Sequence, residues 1–408
     1  MSHKKTDIKK VVLAYSGGLD TSFCVPYLRE KGYRVVTMFV DTGGVSAEQR
    51  AEIERRAMVL GAEEHVTADG SKEVWDEVVV PLVMGGQLYQ DQYPLLVSDR
   101  YVIVKKAIEL ANERGTKLFA HGCTGMGNDQ VRFDLCVRSL GDYTILAPIR
   151  DIQSEHRAVR EYERAYLEKL GFSVPAKQTR YTINENLLGA TMSGSEIDEW
   201  QPPSDETYQL TAKPAAWPRT PMRLALRFER GVAVALDGLA MTGPSLLREL
   251  NARLGVYGVG RGIYTGDTTV GLKGRIVFEA PGLFGLLTAH RALEETILTQ
   301  SQNRFKPTVA RQWVELVYKG FFYEPLKADL EAYLVSSQRF VNGTVTLEAV
   351  GGALLPVAVE SVHMLRSKNA VYAQSADWDA KEAEGFIRLL GQSSELSAKV
   401  NPMWKQGT

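Results

Sequence analysis

Between residues 10 and 170 the chain alternates between two periods. Apolar runs of strand length fall at 10–15, 34–40, 65–68, 118–121 and 143–146, and helical patterns fall near 20–31, 46–60, 70–79, 97–113, 128–139 and 153–170. Strand, helix and strand in succession bring the second strand back parallel to the first. A run of such units is an α/β fold with a doubly wound parallel sheet. Ligands of such sheets sit beyond the carboxyl ends of the strands. Two of the loops leaving those ends are dense in glycine and polar side chains.

The first is 11–22, VVLAYSGGLDTS. An apolar strand runs through Ala14, Ser16-Gly17-Gly18 make the turn, and helical spacing begins with Phe23, Tyr27 and Leu28 on one face. This geometry offers unpaired N–H groups and the positive end of a helix dipole to an anion such as phosphate. The glycines let backbone approach a ligand with no Cβ between them, and Ser16, Thr21 and Ser22 add hydroxyls. Asp20 is a carboxylate beside that anion site, which suits it to a bound cation. The loop lacks the Gly-Lys-Ser/Thr of a Walker A motif and is not Gly-x-Gly-x-x-Gly.

The second is 120–135, AHGCTGMGNDQVRFDL. Gly122, Gly125 and Gly127 share one turn, which is costly unless backbone must approach a ligand. Asn128 and Asp129 stand in the N-cap region of the next helix, whose Val131, Leu135 and Val137 are expected to face the core. Arg132 follows one turn later. Val40-Asp41-Thr42-Gly43-Gly44, after the second strand, borders the same crevice; a plain turn explains it as well as contact with a base or ribose does.

Past residue 172 the pattern changes. Residues 173–220 are rich in Pro, Ser, Thr and Gln and read as an extended connection carrying site loops at 181–194. Two strands follow over 222–236, then a helix at 243–254 capped by Thr242 or Ser245, helices at 286–299, 303–319 and 325–337, and strands at 343–350 and 353–360. This predicts an α+β domain with less sheet than the first. A tail from 362 bears an amphipathic helix near 379–392. That stripe must be buried, against its own domain or across subunits. The expected division is 1–171, 172–361 and 362–408.

Composition removes several classes of function. The net charge is −1 over 408 residues, so no strong nucleic-acid or membrane partner is expected. The polar start and the lack of a long apolar span predict neither a secretory leader nor a membrane helix. Cys24, Cys123 and Cys136, an odd and widely spaced set, predict a reducing cytoplasmic setting. His290 reads as a packed helix histidine, and no His/Cys spacing predicts a zinc site.

The 16–22 loop resembles the SGGxDS signature of the PP-loop ATP pyrophosphatases, which split ATP into AMP and pyrophosphate. Further segments are API(R) at 147–150, YTINENLLG at 181–189, GLKGR at 271–275 and Ala-His at 289–290. With these and the 120–135 stretch, nearly the whole chain resembles the argininosuccinate synthase family. The resemblance implies an AMP-forming C–N ligase. ATP, with Mg2+, adenylates the ureido oxygen of citrulline, and the amine of aspartate then displaces AMP. It implies ATP contacts from Ala14, Tyr15, Ser16, Gly17, Gly18, Leu19, Asp20, Thr21, Ser22, Val40, Gly122 and Thr124. It places aspartate on Thr124, Asn128 and Asp129, and the acceptor on Tyr93, Ser98, Asn128, Arg132, Thr182 and Thr191. Asp20, Asp129 and Arg132 are the residues expected to act on the reacting groups, Asp129 or a phosphate oxygen taking protons from the amine. Small-molecule substrates and a homotetramer built through the C-terminal arm are further implications.

Several positions depart from the family pattern. Met126 replaces a lysine, Gly266-Asp267-Thr268 replaces a Glu-Asn-Arg-like run, and Phe278 replaces a tyrosine. Asp99-Arg100-Tyr101-Val102 follows Ser98 where Leu-Ala-Arg-Pro is usual, and Met192-Ser193-Gly194-Ser195 follows Thr191. Two readings of these changes stay open: compensation within a citrulline ligase, or a paralogue joining aspartate to another ureido or amide acceptor. A tRNA-modifying sulfur transferase is disfavoured, since neither Cys123 nor Cys136 has a CxxC partner. A nucleotide sensor with a dead site is disfavoured by the intact Ser16, Asp20, Asn128 and Asp129.

Overall fold

The computed structural model describes residues 9–172 and 181–401. The N-terminal end, the start of the expected connection at 173–180, and the last residues of the arm lie outside them.

The alternating region forms β1 (Lys10–Ala14), α1 (Leu19–Glu30), β2 (Arg34–Asp41), α2 (Ala47–Val59), β3 (Glu64–Asp69), α3 (Ser71–Val74), α4 (Val80–Gly85), α5 (Asp99–Glu113), β4 (Leu118–Ala120), α6 (Asn128–Leu140), β5 (Thr144–Leu146), α7 (Pro148–Gln153) and α8 (Val159–Lys169). The five strands form one parallel sheet in the order β3-β2-β1-β4-β5. The order reverses at β1, so the crevice between the loops after β1 and β4 is the switch point where such sheets bind ligands. β1 is buried on both faces. Val12 and Ala14 join one core with Val104 and Ile108 of α5, and Val11 and Leu13 join another with Phe23 and Leu28 of α1 and Leu167 of α8. An unbroken apolar run is what a central parallel strand requires.

Three helix expectations are corrected. The helix expected at 153–170 begins only at Val159, as α8, and a short helix that was not expected, α7, precedes it and ends at Gln153. The pattern at 70–79 continues to Gly85 through a π-turn at Trp75–Val79, and Pro81 is accommodated because it falls at the start of α4. On α6 the buried side chains are Arg132, Phe133, Cys136 and Val137, while Val131 and Leu135 are only half-buried.

The second part carries more sheet than expected. β6 (Thr182–Asn186) and β7 (Gly189–Ser193) form a hairpin, where an extended connection was predicted. They lie in a four-stranded antiparallel sheet with β11 (Arg261–Asp267) and β12 (Lys273–Glu279), two strands that the sequence pattern did not reveal. β8 (Met222–Glu229), β9 (Val232–Leu236), β10 (Leu239–Ala240), β13 (Gly343–Val350) and β14 (Ala353–Glu360) form a five-stranded antiparallel sheet. α9 (Gly243–Gly255), capped by Thr242, and α10 (Pro281–Ile297) share a leucine core, followed by α11 (Gln300–Lys319) and α12 (Pro325–Ser337).

The β6–β7 hairpin is tied to the first sheet. Leu187 N donates to Thr42 O at 2.8 Å, and Asn186 Nδ2 donates to Leu96 O at 2.6 Å. Residues through His363 make one unit and those from Met364 a second. The second carries α13 (Ala380–Val400), opened by an Asp379/Glu382 capping box and bearing no buried side chain.

Candidate active site

The loops after β1 and β4 meet. A Cβ on Gly122 would lie 3.1 Å from Thr21 Cγ2 and 3.2 Å from Thr21 N, so the second loop rests on the first turn of α1. Gly18 and Gly127 are the N-cap residues of α1 and α6, and neither helix has a side-chain cap. Two helix N-termini with unclaimed N–H groups therefore face one cleft of about 850 Å³.

The cleft is lined by Ala14, Tyr15, Ser16, Gly18, Leu19, Asp20, Thr21, Val40, Gly122 and Thr124 of the predicted ATP set. It is also lined by Asn128 and Asp129 of the aspartate set, and by Tyr93, Arg132, Thr182 and Thr191 of the acceptor set. Gly17, Ser22 and Ser98 stay outside it. Gly17 O accepts from Arg56 Nη1 at 2.8 Å, the buried Ser22 hydroxyl turns to Gly17 O, and Ser98 is buried at the start of α5. The hydroxyls of Ser16 and Thr21 lie 3.1 Å apart, closing the loop on itself.

Asp129 lies between two guanidinium groups. Arg132 Nη1 donates to its Oδ1 at 2.8 Å and Arg100 Nε to its Oδ2 at 3.2 Å. Burial pushes this carboxyl up, but the two arginines outweigh burial and hold it below the usual aspartate range. The chain of charge runs on: Arg100 Nη1 donates to Asp99 Oδ1 at 2.8 Å, and Thr42 Oγ1 to Asp99 Oδ2 at 3.1 Å. Arg132 is thus not a free fork, since its Nε also donates to Tyr318 O at 3.0 Å and its guanidinium covers the Tyr318 ring. Asn128 does not cap α6; its Nδ2 reaches Tyr318 Oη and its Oδ1 accepts from Thr269 N. The Tyr93 hydroxyl is buried, lines the cleft and has no partner among the described residues.

At the far side of α1, Asp20 faces Glu163 of α8. Burial raises the Asp20 carboxyl, against the pull of Arg160. Burial and the Asp20 charge together push Glu163 up to about 8. His121 Nε2 meets Asp134 Oδ1 at 2.9 Å while its Nδ1 accepts from Cys123 N, and burial lowers its pKa against the pull of Asp134, so it braces the second loop.

Comparison with known proteins assigns the family. Residues 10–171 match the arginosuccinate synthase N-terminal HUP domain and residues 181–397 the arginosuccinate synthase C-terminal domain. The chain is 62% identical to the argininosuccinate synthase of Xanthomonas campestris pv. campestris over 393 residues, 96% of this chain and 99% of that protein. It is 60% identical to that of Xylella fastidiosa (96% and 98% covered) and 36% identical to that of Bacillus pumilus (96% and 97% covered).

The chain belongs to the argininosuccinate synthase family.

Within it, the departures have local explanations. A Cβ on Gly266 would stand 2.1 Å from Gln90 Oε1 and 2.6 Å from Tyr264 Oη, so the place of a family glutamate is filled by Gln90. Asp267 does not stand in for that glutamate in the cleft; it pairs with Lys273 and Gln90 at a partly exposed position. Phe278 stacks on Phe284 and meets Tyr93 edge-on, away from the cleft lining. Met126 is 70% exposed, and cations near its loop come from Arg157 and Arg160. Arg100, Arg160, Arg164 and Tyr318 line the cleft without having been read from the sequence. Arg100 had a visible signal, an arginine within the altered segment after Ser98; Tyr318 had none, lying at the end of a helix 186 residues beyond Arg132.

Proposed function

We propose that this chain joins citrulline to aspartate in arginine biosynthesis. The ureido oxygen attacks the α-phosphorus of ATP and pyrophosphate leaves; the aspartate amine then attacks the ureido carbon, loses its proton and expels AMP. The supporting observation is the meeting of two uncapped helix N-termini in one cleft, Gly122 against Thr21, which brings a phosphate cradle and an amino-acid site side by side. Activation turns the ureido oxygen into a good leaving group, and what remains is positioning and charge stabilisation.

The N-terminus of α1 holds the phosphates. Mg2+ fits there by the chemistry of the donors: the hard carboxylate of Asp20 lines the phosphate site beside the buried carboxyl of Glu163. Asp20 would hold the ion with the nucleotide, and the chemistry it would supply there is neutralisation of phosphate charge. Asp129, held ionised by Arg100 and Arg132, anchors the aspartate amine and is a weak base. The amine proton therefore passes to a phosphate oxygen. Arg132 positions the acceptor together with Asn128 and Tyr93. The filled space at Gly266 and the packed Phe278 leave the cleft without a demand for another acceptor. We also place the domain divisions at 1–171, 172–361 and 362–408, and expect a cytoplasmic homotetramer acting on small molecules alone.

The test is turnover with citrulline carrying 18O in its ureido group. Label appearing in AMP, with pyrophosphate release dependent on both amino acids, supports the reading. Pyrophosphate release without transfer of label overturns it.

A further inference from the structure

We propose that Glu163 is a second carboxylate ligand for the divalent cation that accompanies ATP, so that the ion is bound between α1 and α8. The proposal rests on the nucleotide reading of the cleft and extends it.

Glu163 is 0% exposed, on the face of α8 that packs against α1. The aromatic rings of Tyr162 and Tyr166 on α8 meet Phe23 of α1 and hold the two helices in register there. Neither carboxylate oxygen of Glu163 has an N–H or hydroxyl donor among the described residues; the carboxyl faces that of Asp20, with which it can share a proton. A buried carboxylate without donors costs several kcal/mol unless a proton or a cation compensates it. Arg160 and Arg164 offset part of that cost through their charge alone, and Arg160 spends its Nη2 on Thr182 Oγ1 at 2.9 Å. Packing alone would be met better by a leucine or methionine.

The side chain also has somewhere to act. Glu163 and Asp20 line a side cavity of about 410 Å³ that continues past Thr124 and Arg160, both of which also line the main cleft. Asp20 stands in the first turn of α1, beside the N–H groups that receive phosphate. Among the described residues no cluster of three or more His, Cys, Asp or Glu makes a complete protein cage. Two carboxylates are what Mg2+ takes from protein when phosphate oxygens and water supply its other ligands. An ion there takes the place of the proton between the two carboxyls and turns the repulsion between Asp20 and the phosphates into attraction.

The test uses the full chain with Mn2+ as the probe and α,β-methylene-ATP as a nucleotide that is not cleaved. Free Mn2+ is followed by electron paramagnetic resonance in wild type and Glu163→Gln, and binding of the nucleotide alone by calorimetry. Glu163→Gln should weaken Mn2+ binding in the nucleotide complex at least about 10-fold, the scale of losing one contact at a metal site, while metal-free nucleotide binding is unchanged. Equal Mn2+ affinity in the two proteins overturns the proposal and leaves the ATP site standing. Failure of wild type to bind the nucleotide overturns both. A second measurement needs no variant: Fe2+ with ascorbate and peroxide, in place of Mg2+, should cut the wild-type chain near both Asp20 and Glu163. Cuts confined to the Asp20 loop overturn the proposal.

Discussion

At Asp129 two guanidinium groups share one carboxylate, and Arg100 gives the cleaner test because its Nε contact is made without a second bond to Tyr318. Arg100→Gln removes a charge-assisted bond worth about 1.5–3 kcal/mol, so kcat/KM for aspartate should fall about 10- to 100-fold. Steady-state kinetics with aspartate varied checks this, and the KM for ATP should move far less. The same pair sets a pH dependence. The folded pKa of Asp129 lies below the ordinary 3.8, so its contribution is present above that value and lost as pH falls through the lower one. With Arg100 gone the folded value rises toward the ordinary one. The loss should then set in at higher pH, read as an upward shift of the acid-unfolding midpoint in tryptophan fluorescence.

Among the helices, one buried ion pair ties four elements together. Lys306 of α11 meets Glu294 of α10 at 2.6 Å and donates to Met84 O at the end of α4, while Gln338, just past α12, donates to Glu294 at 2.7 Å. Lys306→Met leaves the buried Glu294 charge without its cation, held only by Gln338. It should cost about 3–5 kcal/mol, measured as a lower urea midpoint, and a second change, Glu294→Leu, should recover much of it. The β6–β7 hairpin has its own constraint. Gly189 sits at φ +147°, and a Cβ there would lie 2.0 Å from Glu279 O. Gly189→Ala should displace β7 from β12. Thr191, paired in register with Phe278, moves with it. Citrulline KM should rise along with a fall in thermal midpoint.

For the whole molecule, the exposed stripe on α13 carries the prediction. Phe386, Ile387 and Leu390 are 64%, 65% and 71% exposed on a helix with no buried side chain. Helices with one apolar face are stabilised chiefly by covering it, and a partner subunit is the cover we expect. Phe386→Ser with Leu390→Ser should lower the mass found by light scattering below that of the proposed tetramer. An unchanged mass would place the subunit contacts elsewhere.

Much of the first sheet was legible because its information is local. Val11 to Ala14 can be buried on both faces only as a central strand, and Ser16-Gly17-Gly18 marks a tight turn into a helix. The strands 261–267 and 273–279 were not legible, since their polar and glycine-rich stretches gain their order from pairing with each other and with β7 rather than from periodicity. Composition also disguised the hairpin at 182–193, where neighbouring prolines pointed to a connection. The residues of the candidate site divide the same way. Ser16, Asp20, Gly122 and Asn128 announce themselves by spacing along the chain. Arg100 against Asp129, Tyr318 over Arg132 and Glu163 facing Asp20 are pairs between elements far apart in sequence. Local spacing alone determined the sheet and the two loops. Which charge meets which was decided only when packing closed the helices around them, because electrostatic pairing depends on distance in space.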